Sequence, residues 1–251
     1  MNQTNLLQQA FSTDTVFCRS LVSEGYLSEQ QMQQAARRYQ LGRSKDGGVI
    51  FWQIDESQKV RDGKIMFYRD DCHRDHDRHP DWVTNRLKIH YGYDGDLPVD
   101  RCLFGLHLLV HTENTEITEK LMPDNTDRNS FCDFRDFCVT NNTVCVVESE
   151  KTAVILSEIF PQCIWLASGG LSMLNAAKLW PLRERKVILF PDTDPEGKTF
   201  KSWQSIAVTA QEHFKYAIRV SPLLELHATP AQKTAKIDLV DFLFSTADFT
   251  D

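Results

Sequence analysis

The chain has 251 residues, 41% of them hydrophobic, which is ample for a folded, soluble protein of one large or two modest domains. No run of eighteen apolar residues and no basic, apolar leader in MNQTNLLQQAF argue against a membrane span or a signal peptide, so no membrane is expected and the expected compartment is the cytoplasm. The formal net charge is −7, with 17 Lys+Arg against 22 Asp+Glu in residues 1–142 and 11 against 13 in 143–251, which speaks against tight, unaided binding to long duplex nucleic acid.

In chain order, the spacing of Val16, Phe17, Leu21 and Val22 predicts a helix opened by Thr13 or Asp14 and stopped by Gly25. A second helix starts at Ser28, where Gln31 stands three residues on, and ends before Gly42. The period then changes. Val49–Trp52 and Lys64–Tyr68 are β-rich runs around a polar turn, a hairpin that either covers an apolar face or lines a substrate path. Lys59, Arg61, Lys64 and Arg69 lie along it, and Lys64 and Arg69 are candidate phosphate contacts. Cys72, His73, His76 and His79 crowd one polar stretch with Asp and Arg; structural zinc sites bring two separated ligand pairs together, so zinc is not expected here, even with Cys132 and Cys138 as a distant second pair. Seven cysteines without a repeating spacing argue against a disulfide framework. Residues 111–142 are polar, with Pro and Asn, and read as a connection between an N-terminal helical and β region at 1–110 and a second domain at 143–251.

From 143 the pattern alternates: strand 144–147, helix 149–159, strand 162–167, helix 171–179, strand 186–190, helix 196–212, strand 216–220. Such alternation implies an α/β fold with a mostly parallel sheet flanked by helices. Glu148 ends the first strand, and Asp192 and Asp194 follow the third. Ligands of open parallel sheets sit at the carboxyl ends of strands, so the three carboxylates can face one point and offer hard oxygen ligands to magnesium or manganese. Pro195 helps turn the chain out of the sheet there. The alternatives are capping of the following helix for Asp192 and Asp194 and an exposed loop position for Glu148. Lys151 is a first-turn helix residue that can also reach a substrate phosphate, and Gly169 and Gly170 either admit a nucleotide closely or only permit a tight turn. The string EGKT at 196–199 is not a P-loop, because position 192 is Asp where that motif needs Gly.

These residues resemble the toprim family, the fold shared by bacterial-type primases, topoisomerases and some nucleases. Glu148 after a hydrophobic strand, Gly169-Gly170 after the next and Asp192-Thr-Asp194-Pro-Glu-Gly197 after the third match its pattern in order and spacing over about 143–220, and KIDLVDFL at 236–243 extends it. Asp238 and Asp241 in that tail resemble an acidic segment of primase toprim regions; they also suit a short helix with Leu239, Phe242 and Leu243 inward. YQLGRSKDGGVIFWQID, GKIMFY, CLFGLHLL, VVESEKTAVI and WLASGGL are similar to toprim-containing proteins of bacterial mobile elements. The resemblance implies that Glu148, Asp192 and Asp194 are at once metal ligands and catalytic residues, with Lys151, Gly169, Gly170, Lys64 and Arg69 binding substrate. It implies magnesium- or manganese-dependent phosphodiester chemistry on single-stranded DNA or nucleotides, nearest to primase-type nucleotidyl transfer, in the replication or transfer of a mobile element. A helicase or another replication or transfer protein is the implied partner. A toprim nuclease and a non-catalytic nucleic-acid- or nucleotide-binding adaptor are the alternatives, since the same ligands serve all three.

Overall fold

The computed structural model describes residues 10–92, 99–113 and 143–247, together with Leu7. From residue 11 on, the first helices are α1 (Val16–Ser23) and α2 (Glu29–Tyr39). Thr15, one residue past the expected positions, caps α1 by accepting the Cys18 N–H at 3.2 Å. Ser28 and Gln31 form the reciprocal capping box that their spacing predicts.

An antiparallel sheet follows, in the order β1 (Gly42–Arg43), β2 (Val49–Ile54), β3 (Val60–Met66), β4 (Asp81–Trp82). The expected hairpin is β2–β3, with Phe51 opposite Lys64 and Gln53 opposite Asp62. Its register shifts between Gln53 and Ile54, which leaves Arg61 at the irregularity. Helix α3 (Val83–Tyr91) and a 3-10 segment (Leu106–Glu113) follow among the described residues of this half. Most of the expected connection, 114–142 with Cys132 and Cys138, lies outside the described residues.

The second half alternates as its pattern predicts: β5 (Val144–Val147), α4 (Glu150–Ile159), β6 (Ile164–Ala167), β7 (Val187–Phe190), α5 (Lys198–Phe214) and β8 (Ile218–Val220), then α6 (Leu223–His227), α7 (Pro230–Ala235) and α8 (Leu239–Ala247). The four strands are parallel in the order β6-β5-β7-β8. The expected helix at 171–179 does not form; two 3-10 segments, Leu171–Met173 and Ala177–Leu182, replace it. Leu174 between them is extended (φ −80°, ψ 137°), which breaks the i→i−4 ladder, and Asn175 Oδ1 accepts the Lys178 N–H at 3.0 Å as the second segment begins.

Side chains alternate between the two faces of this sheet. Val144, Val146, Leu166 and Leu189 pack with Trp203, Ala207 and Ala210 of α5. Cys145, Val147, Trp165 and Phe190 pack on the other face with Ala153–Leu156 of α4, Val240 of α8, and Phe17, Leu21, Tyr39, Phe51 and Phe104 from the N-terminal half. That second core is continuous across both halves. Tyr39, wholly buried, donates its hydroxyl to the carbonyl of Trp165 at 2.8 Å and stacks on Phe104 at 4.8 Å. Phe104 also exchanges backbone hydrogen bonds of 2.9 and 3.1 Å with Ala167 on the β6 edge. No helix among the described residues is long and apolar enough to cross a membrane.

Candidate active site at the strand ends

Strands β5 and β7 are neighbours, with Val147 beside Phe190. The chain leaves β5 through α4 for β6 on one side and leaves β7 through α5 for β8 on the other. The carboxyl ends of β5 and β7 therefore flank the point where the crossover direction reverses, the position at which open parallel sheets bind ligands. Glu148 is the first residue after β5 and Asp192 the second after β7, so the topology brings this predicted pair to one crevice.

Two further acids arrive from the C-terminal segment. Thr193 donates its backbone N–H (3.1 Å) and its hydroxyl (3.2 Å) to the Ile237 carbonyl, tying the loop after β7 to the residue before Asp238. Asp238 is buried; one carboxylate oxygen accepts a short hydrogen bond from the Thr152 hydroxyl, and the other accepts the Asp241 N–H at 2.8 Å. Asp241 in turn accepts the Asp238 N–H at 3.2 Å. Burial pushes the Asp192 carboxyl well above the ordinary carboxylate range, and the negative charges of Asp238, Glu148 and Asp241 push it further, against the opposing Lys151. Burial and Asp238 raise Asp241 as well. Burial works against the Lys151 ammonium, but Asp238 and Asp241 outweigh it and raise its pKa. Lys151 lies on the first turn of α4 with its ammonium 5.9 Å from the centre of the Tyr26 ring.

Asp194 is engaged differently. Its Oδ1 accepts the N–H groups of Glu196 and Lys198, both at 3.0 Å, and its Oδ2 accepts that of Thr199 at 2.7 Å, so the carboxylate seals the amino end of α5. Burial opposes ionisation there, yet the Thr199 and Lys198 N–H donors outweigh it and hold the pKa at about 2. The stabilisation is present above the ordinary carboxylate pKa and is lost as the pH falls towards 2. Asp194→Ala is expected to lower stability by about 1–2 kcal/mol, and Asp194→Asn, still a good cap, by only part of that. Chemical denaturation of both variants without metal measures the difference; equal losses would rule out a capping role.

Among the residues expected to contact substrate, Lys64 turns inward, with its ammonium 2.6 Å from the Gly169 carbonyl and 3.1 Å from Glu150 Oε2. Arg69 stays at the surface and pairs with Asp71 at 3.0 Å; Arg61 pairs with Asp55 at 2.6 Å. Lys64 is thus drawn inward while Arg61 and Arg69 are held in ion pairs at the surface, so these cations do not share one exposed face. Gly169 and Gly170 both adopt positive φ, 87° and 146°, and Gly169 is buried against Glu150. Cys72 is buried in the shared core, whereas His73, His76 and His79 are exposed. Among the described residues no three His, Cys, Asp or Glu side chains stand close enough to hold a metal ion by themselves.

Glu150 is the site residue that sequence reasoning missed. An acid directly after Ser149, the cap of α4, reads as an ordinary first-turn residue, and nothing local signals a partner 86 positions away. Asp238 and Asp241 did carry a signal, KIDLVDFL, although an amphipathic helix explains the same string.

Comparison with known proteins agrees with this architecture. No curated protein sequence matches the chain. Among solved structures it is similar to the DnaG catalytic core, with a TM-score of 0.51 and 14% identity over 97% of this chain and 81% of that one. It is also similar to the primase fragment of the bacteriophage T7 primase-helicase protein (TM-score 0.46, 14% identity, 86% and 67% covered) and to the zinc-binding and RNA polymerase domains of the Aquifex aeolicus primase (0.47, 13%, 98% and 62%). At these identities the likeness to the DnaG core is one of fold. A family profile described as Domain of unknown function (DUF6371) matches residues 15–120 and 130–193, more than half of the sequence, and the chain therefore belongs to that family.

Proposed function

We propose that this protein carries out divalent-metal-dependent phosphodiester chemistry on nucleic acid, nearest to primase-type nucleotidyl transfer. The observation that carries the reading is the placement of Glu148 and Asp192 on either side of the crossover reversal between β5 and β7, with Asp238 and Asp241 crowded beside Asp192. The donor set fits a hard cation such as magnesium or manganese: oxygen ligands only, and more negative charge than Lys151 neutralises. Magnesium is ordinarily held by one or two carboxylates, with water and substrate phosphates completing its shell, so a site without three converged side chains suits it. Glu148 and Asp192 would hold the ion, which when bound would stabilise charge on phosphate oxygens.

The remaining work falls to the chain's own groups. Asp194 fixes the loop after β7 by capping α5, which sets where Asp192 emerges. Lys151 balances part of the acidic charge and offers an ammonium to a substrate phosphate. Gly170, with no side chain, leaves the rim of the crevice open to a nucleotide backbone. Arg69 and its exposed neighbours can meet single-stranded DNA at the periphery. The likeness of the quoted segments to mobile-element proteins supports a setting in replication or transfer, with a helicase or replication protein as partner.

The second reading is a non-catalytic nucleotide- or DNA-binding adaptor, favoured by the engagement of Asp194 as a cap. Labelled single-stranded DNA incubated with the protein, magnesium and ribonucleotides separates the readings. Longer products are expected for wild type and none for Asp192→Asn. Shorter products would mean a nuclease using the same ligands, and unchanged DNA would leave the adaptor.

A further inference from the structure

The tie between the two sheets closes a ring beside Glu148. The Gly169 N–H donates to the Glu148 carbonyl at 2.9 Å; the Gly169 carbonyl accepts the Lys64 ammonium at 2.6 Å; that ammonium pairs with Glu150 Oε2 at 3.1 Å; and Glu150 returns through Ser149 to Glu148. The ring is sealed from solvent, since the Lys64 and Glu150 side chains are only 13% and 3% exposed. It is also tightly fitted: a Cβ on Gly169 would stand 3.1 Å from Glu150 Oε1, and the φ of 87° already disfavours any other residue. Among the described residues Glu150 Oε1 has no hydrogen-bond partner, so Lys64 is what holds this carboxylate in place.

Lys64 comes from β3 of the antiparallel sheet, and the residues it holds sit at the carboxyl ends of β5 and β6 and at the start of α4. Its cross-strand partner Phe51 belongs to the shared core, so the ammonium is anchored from the N-terminal half. A buried ammonium has three N–H donors to satisfy, and here the Gly169 carbonyl and Glu150 take two of them, so Lys64 ties the turn after β6 to the start of α4. A cation that contacts substrate would need more exposure than Lys64 has.

We propose that Lys64 and Glu150 are positioning residues, a buried ionic brace that fixes the backbone of Glu148 at the orientation a divalent ion requires. This rests on the metal reading above and assigns to the N-terminal half the setting of a ligand on the parallel sheet. Outer groups that orient metal ligands commonly change affinity by one to two orders of magnitude when removed.

The test is titration of the full chain with Mn2+ alone, following the free-ion paramagnetic signal, together with amide hydrogen exchange at Gly169. Lys64→Met/Glu150→Gln removes one charge of each sign, so net charge near the site is unchanged and no buried charge is left unpaired. The double variant is expected to bind Mn2+ at least about ten-fold more weakly than wild type, with Lys64→Arg restoring most of the affinity. Gly169 exchange should speed up in the double variant while amides of β2 and β7 keep their protection. If the double variant does not fold, Lys64→Gln/Glu150→Gln, equally neutral in net charge and able to hydrogen-bond, carries the same expectation of weakened binding. Wild-type affinity in the variant that folds, or unchanged Gly169 exchange in the double variant, overturns the proposal. Absence of Mn2+ binding by wild type, or binding unaffected by Asp192→Asn, overturns the metal reading itself and this inference with it.

Discussion

Asp192→Asn should melt at a higher temperature than wild type in metal-free buffer at neutral pH, by roughly 3 °C or more, and should gain nothing from added manganese. Burial and three neighbouring carboxylates raise the folded-state pKa of Asp192 above its ordinary value of 3.8. A carboxyl shifted in this direction contributes most at low pH. Its contribution is fully present below the unfolded pKa and is lost as the pH rises through the folded one. At neutral pH the raised pKa therefore works against the fold, and Asn removes the titrating group while keeping the shape. Manganese should reverse the comparison: an ion that binds the folded state alone stabilises by mass action, and only wild type keeps the full ligand set. Thermal melts at pH 4 and pH 7, with and without manganese, give the four numbers required. A variant that melts below wild type at both pH values would mean that Asp192 is held by favourable contacts rather than crowded by like charges.

Tyr39→Ala is expected to lower stability by about 3–5 kcal/mol, equivalent to a fall of roughly 10 °C, and to do so in a single calorimetric transition. Tyr39, the last residue of α2, fills space between α4, the Phe104 ring and the Trp165 backbone with no exposed surface, and its hydroxyl satisfies a carbonyl on β6. Truncation leaves a cavity and an unsatisfied acceptor within a core to which both halves contribute. Because Phe17, Phe51 and Phe104 pack with Val147, Trp165 and Phe190, neither half keeps its apolar face covered when the other unfolds. Two separated transitions, only one of them shifted by the substitution, would show that the halves melt independently.

Much of this protein was written in short-range patterns. The alternation of apolar runs marked β5, β6, β7 and β8, and the ends of β5 and β7 marked Glu148 and Asp192, because strand length and the polar residue that ends a strand are local properties. Ser28 and Gln31 announced the start of α2 for the same reason. At 171–179 the apolar spacing suggested one helix, but Leu174 is extended and splits the stretch into two 3-10 segments, so local backbone conformation overrode periodicity. Sequence also left Asp194 divided between ligand and cap; its three backbone donors exist only once α5 has turned away from the sheet.

The rest was decided by packing. The strand order β6-β5-β7-β8, which makes the β5–β7 boundary a crevice, depends on which side each crossover takes. Asp238 joins Asp192 because Thr193 binds the Ile237 carbonyl 44 residues away, and Lys64 meets Glu150 across 86 residues. Hydrophobic period, caps and turns act over a few residues and can be read from the string; the meeting of charged groups from distant segments follows from how a continuous core folds the two sheets together, and only the tertiary structure fixes that.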